Sequence, residues 1–149
     1  MNKVRALLVT GVFAVITPLT ETAFASPPAP PMSIKILASS GPQTLSMNKV
    51  LTLRLKVSGV KLTITHLGKK PQDSEAHFQI YLDTIPKDAQ KKADLHHWLA
   101  SVAATTIPLK LSSGVLGNKK GKHTIYVTLA KNNNVLYNTK AAALVFTIK

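Results

Sequence analysis

Between Gly121 and Ala130 apolar and polar positions alternate without a break. Ile125, Val127 and Leu129 fall on one side and Thr124, Tyr126 and Thr128 on the other, the period of a half-buried β-strand. Lys131-Asn-Asn-Asn134 follows with residues that tolerate a left-handed backbone, so a turn back into a hairpin is expected. The same alternation places a strand over Lys49 to Val57, with Leu51, Leu53, Leu55 and Val57 inward, and another over Ala76 to Asp83, with Phe78, Ile80 and Leu82 inward. The second face of that strand, His77, Gln79, Tyr81 and Asp83, is unusually rich in chemistry.

Shorter alternating runs cover Ser33 to Leu37, Val60 to Ile64, Thr105 to Leu111, Val135 to Tyr137 and Leu144 to Ile148. Pro108, which has no N–H to give, assigns its strand to a sheet edge. Over residues 86–104, Leu95, Trp98, Leu99 and Val102 fall at helical spacing behind Pro86, which predicts one short helix there. About seven short strands with at most one helix predict an all-β fold, an antiparallel immunoglobulin-like β-sandwich. The domain is expected over residues 32–149.

The N-terminus carries Lys3 and Arg5, an apolar run from Ala6 to Leu19, and Ala23-Phe-Ala25 before Ser26. These are the three parts of a secretory signal, so residues 1–25 are expected to be a signal peptide and the protein secreted or periplasmic. The apolar run falls short of the about 20 residues a membrane span needs. Residues 26–31, Ser26-Pro-Pro-Ala-Pro-Pro31, read as a stiff extended spacer.

The chain has no cysteine, which excludes a disulfide framework, a thiolate nucleophile and a blue-copper site. After residue 25 it holds 16 lysines and Arg54 against Asp73, Glu75, Asp83, Asp88 and Asp94, a net charge of +12. So basic a secreted protein either suits an anionic cell-envelope polymer or lipid surface, at faces such as Arg54 with Lys56, or Lys119 with Lys120 and Lys122, or simply carries a soluble lysine-rich surface. Nucleic acid is not expected, because the charge is nearly all lysine and no aromatic-rich strand offers a stacking platform. So few carboxylates also predict a stability that changes little between neutral and mildly acid pH.

No serine sits in a nucleophile-elbow context, and no second carboxylate accompanies Asp83 by pattern, so no enzyme is expected. The candidate ligands are histidines. His77 and His123 on neighbouring strands, with His97 reaching in, would form an open copper or zinc site; alternatively they hydrogen-bond at strand ends. No cofactor is expected beyond weak copper or zinc binding.

His77-Phe-Gln-Ile-Tyr-Leu-Asp83, then Gly121-Lys-His-Thr-Ile-Tyr-Val-Thr-Leu129 and the Asn-rich turn, together resemble a group of secreted prokaryotic immunoglobulin-like β-sandwich domains. In that group the first strand reads Gly-His-x-His-x-Tyr-Leu-Asp, the later one Gly-x-His-Thr, and the turn often ends in a further His. The resemblance runs from about Met32 to the end and implies the sandwich fold without implying an activity. The chain departs from the pattern at Gln79 and Asn134, which stand where the group carries His, while His77, Tyr81, Asp83 and His123 match it.

Overall fold

The computed structural model describes residues 31–40, 44–72 and 74–149. The expected signal peptide, residues 1–25, and residues 26–30 of the spacer lie outside them. Among the described residues the fold is nearly all β: strands β1 (Ser33–Ser40), β2 (Thr44–Leu45), β3 (Val50–Ser58), β4 (Lys61–Leu62), β5 (Glu75–Leu82), β6 (Trp98–Val102), β7 (Thr106–Lys110), β8 (Gly121–Ala130) and β9 (Ala142–Ile148), with one helical turn, α1 (Ser113–Leu116). Three strands form one sheet in the order β1-β3-β7. The others form a second in the order β2-β9-β8-β5-β4, with β6 also paired to β5.

The inward residues read from the alternation meet in a single apolar cluster between the sheets. Leu51, Leu53 and Leu55 of β3, with Ile107 and Leu109 of β7, join Phe78, Ile80 and Leu82 of β5 and Ile125, Val127 and Leu129 of β8. Each such side chain contributes roughly 1.5–3 kcal/mol through its removal from water. β8 lies inside its sheet, antiparallel to β5 on one side and β9 on the other. β7 is an edge strand, so the missing N–H of Pro108 costs no ladder bond.

Three expectations are corrected. The segment 86–104 forms no helix: turns occupy 87–91 and the chain then extends as β6, antiparallel to β5 with a bulge at Ile80/Tyr81. All eight residues of β5 are buried, so backbone groups on its open edge need partners, and that demand outweighs the helical spacing of Leu95, Trp98, Leu99 and Val102. The only helical turn among the described residues is α1, where Ser112 accepts from Val115 N–H at 3.4 Å and Gly117 ends the turn at φ 59°. The sheets are also not wholly antiparallel, since the two-residue strands β2 and β4 run parallel to β9 and β5, and with them the described residues hold nine strands rather than about seven. Finally, the Asn turn does bring the chain back antiparallel, but the hairpin is short: a bridge of Ala130 with Leu136, flanked by Lys131 N–H to the Val135 carbonyl and Tyr137 N–H to the Leu129 carbonyl, each at 2.9 Å. The full antiparallel partner of β8 on that side is β9.

A second, smaller apolar cluster covers the outer face of β5. Tyr81 packs there with Ala89, Ala130 and Leu136, flanked by Ile85 and Tyr126. The loop after β5 and the chain after the Asn turn thus seal a face that period-two reasoning leaves open to water. Among the described residues, no helix is long and apolar enough to cross a membrane.

Candidate functional site

The chemistry-bearing face of β5 lies under that cover. His77, Gln79 and Tyr81 are each 0 % exposed, which obliges their polar atoms to bond to one another or to the loops above. The Tyr81 hydroxyl donates to Gln79 Oε1 at 2.6 Å and lies 3.1 Å from the Asp94 carbonyl. Gln79 Nε2 donates to Asn134 Oδ1 at 3.1 Å, and His77 Nε2–H donates to the same oxygen at 3.1 Å. Asn134 reaches this point because its backbone adopts φ 64°, a conformation that asparagine tolerates at low cost. The positions where this chain departs from the resembled motif, 79 and 134, are therefore in contact with each other and with His77.

Burial holds the His77 imidazole below the usual histidine range, and the Asn134 contact offsets part of that. Its Nδ1 is buried and has no partner among the described residues. Burial likewise pushes the Tyr81 hydroxyl up to about 12, with the Asp94 charge adding to it. At neutral pH the chain from Tyr81 to His77 is therefore uncharged, a closed relay of polar groups inside an apolar cover.

At the start of β5, Glu75 gathers a second group. His66 Nδ1 lies 2.8 Å from Glu75 Oε2, Asn132 Nδ2 donates to that oxygen at 3.2 Å, and Lys61 Nζ lies 3.9 Å from Oε1. The His66 hydrogen bond, above all, holds the Glu75 carboxyl below its usual range against the opposing effect of burial. Tyr137 donates to the Glu75 carbonyl at 2.8 Å. The cluster ties the loop 65–69 and the Asn turn to one strand.

At the other end, Asp83 closes the strand at φ 62°. Its Oδ1 accepts from Thr124 N–H at 2.9 Å and its Oδ2 lies 2.9 Å from His123 Nδ1. His123 Nε2 faces the Lys119 carbonyl at 3.2 Å, and the ring stacks on Phe146 with centroids 5.6 Å apart. Both ring nitrogens are thus turned toward oxygen acceptors.

The three histidines named from the sequence are not brought together. His77 stands opposite Ala130 and His123 opposite Phe146, so by the alternation of β8 they lie on opposite faces of the sheet. They also mark opposite ends of β5, about 20 Å apart at ~3.4 Å per residue. His97 is exposed, and its carbonyl accepts from Leu82 N–H at 2.9 Å, near the Asp83 end. Among the described residues no group of three or more His, Cys, Asp or Glu is placed to hold a metal ion.

An open basic surface lies elsewhere, on the outer face of the three-stranded sheet. Lys35, Arg54, Lys56 and Lys110 are exposed there, and none of them forms an ion pair among the described residues. Every carboxylate side chain after residue 25 lies between residues 73 and 94, so none belongs to β1, β3 or β7. Arg54 and Lys56 were legible as a basic pair; Lys35 and Lys110 join them only through the strand register, which sets Lys35 opposite Lys56 and Lys110 opposite Val50.

No family model and no curated protein matches the chain. Among solved structures, a glycoside hydrolase domain, Endo-D from Streptococcus pneumoniae R6, overlays with a TM-score of 0.35 at 19% identity, over 78% of this chain and 14% of that one. So loose a likeness decides neither fold nor activity.

Proposed function

We propose that the protein is a secreted or periplasmic, non-enzymatic binding module of the cell envelope, with an immunoglobulin-like scaffold and an anionic partner. The observation that carries this reading is the segregation of charge: the carboxylates are confined to residues 73–94, and the sheet β1-β3-β7 presents cations alone. The buried polar face of β5 fits a structural role, since its groups are engaged with one another beneath the cover. The signal-like N-terminus supports export.

The immunoglobulin-like part of the proposal draws support from strand order. The first, third and seventh strands share one sheet; β9, β8, β5 and β6 lie side by side in the other, and β2 runs parallel to β9, the division expected of a sandwich that crosses its chain between sheets. The runner-up, a copper or zinc protein using His77, His97 and His123, finds no such support in their separation.

The test is fractionation of cells expressing the full chain. Protein beginning at Ser26 should remain with the envelope at low salt and leave it as salt rises, because exposed charges are screened. Protein that keeps Met1 and stays in the cytoplasm, or that leaves the envelope at low salt, would contradict the proposal.

A further inference from the structure

In an antiparallel pair, directly opposed side chains stand about 5 Å apart at Cβ, where like charges repel. Lys35 and Lys56 occupy such a pair, and both are exposed. The next outward pair is Ser33 with Ser58, whose hydroxyl oxygens meet at 2.8 Å. These four residues and Leu37 border a concavity of about 470 Å³. Two ammonium groups and two hydroxyls thus look into one open space.

The basic track continues along β3. Arg54 is the next outward residue after Lys56, about 7 Å on, and Val50, opposite Lys110, lies about 20 Å from Lys56 at ~3.4 Å per residue. A site for one small anion would need only the Lys35–Lys56 pair, whereas a row of cations across three strands suits a chain of anions.

We infer that the outer face of β1, β3 and β7 is the docking surface for a polyol phosphodiester polymer, with one phosphate seated between Lys35 and Lys56 and the polymer running past Arg54 toward Lys110. This inference rests on the anionic-partner reading above and gives it a surface and a chemistry. Three of the four cations are lysines, compact charges with three donors that meet tetrahedral phosphate oxygens from any side; a planar carboxylate would favour the arginine fork. Ser33 and Ser58 share one hydroxyl hydrogen bond, and the remaining hydroxyl proton is a neutral donor for a phosphate oxygen. The outward positions of these strands hold no aromatic ring on which a nucleic-acid base could stack, nor the tryptophan or tyrosine that anchors a protein at a lipid interface.

The experiment measures binding of the purified protein to synthetic poly(glycerol phosphate) at low salt. K35Q/K56Q should weaken binding about tenfold, two surface charge contacts' worth. The same substitution should leave the melting temperature equal or higher, because a like-charge pair is relieved. K119Q/K120Q/K122Q, which removes more charge from another surface, should weaken binding by less than about threefold. Equal losses in the two variants would overturn the docking surface and leave the anionic-partner reading standing. No binding by the unaltered protein at low salt would overturn both. Tighter binding to single-stranded DNA of equal phosphate number, or to phosphatidylglycerol vesicles, would overturn the polymer in favour of that partner.

Discussion

Gln79 and Asn134, 55 residues apart in sequence, meet through a 3.1 Å hydrogen bond, and the oxygen that accepts it also accepts from His77 at 3.1 Å. Three nitrogens around a tetrahedral ion with ~2.0 Å bonds would stand about 3.3 Å apart, close to these separations. Two amides therefore occupy positions from which imidazoles would surround a metal together with His77. The double variant Q79H/N134H should bind one equivalent of zinc or copper and gain thermal stability when loaded. Calorimetry on the metal-free variant checks this; absence of binding would mean that the new rings cannot turn toward His77.

The buried His77 alters the pH dependence expected from the scarcity of carboxylates. Its folded pKa is lowered, so as pH falls below the ordinary histidine value of about 6.5 the unfolded chain takes up a proton first. Stability then falls by up to about 1.4 kcal/mol per pH unit until His77 protonates in the folded state. Above the ordinary value both states are neutral and the residue contributes no slope. Glu75, also lowered, stabilises the fold above the ordinary glutamate range and loses that contribution as pH drops through its folded value. Melting temperatures should hold level from about pH 7.5 to 6.5, decline from about pH 6.5 to 5 in the unaltered protein, and flatten over that lower range in H77Q.

Much of the scaffold was legible because β3, β5 and β8 pair a clean alternation with a real core face; Leu53, Phe78, Ile80, Ile125, Val127 and Leu129 are each fully buried. Pro108 named its edge correctly. What escaped was set by tertiary demand. Leu99 and Val102 satisfy helical spacing, yet the open edge of β5 takes them as a strand. The burial of Gln79 and the meeting of Asn134 with His77 depend on loops that fold over β5 from both sides in sequence. The pairing of Lys35 with Lys56 depends on a register that no local pattern states.

The Tyr81 hydroxyl sits between Gln79 Oε1 and the Asp94 carbonyl, both acceptors. Y81F removes the hydroxyl that donates to the buried Gln79 Oε1 and leaves that oxygen without this bond, a change that should cost about 1–3 kcal/mol. Denaturant unfolding measures it. A neutral effect would mean that water replaces the hydroxyl and that the cover over β5 is less tight than its burial implies.

The central claim is that an acid-free basic face binds a polyanion. Affinity for poly(glycerol phosphate) measured across a salt series tests it most directly, since screening shortens from ~30 Å at about 0.01 M to ~3 Å at about 1 M. The account predicts affinity that falls steadily with salt, with a shallower dependence in K35Q/K56Q because fewer cations take part. Affinity independent of salt, or an unchanged dependence in that variant, would contradict it.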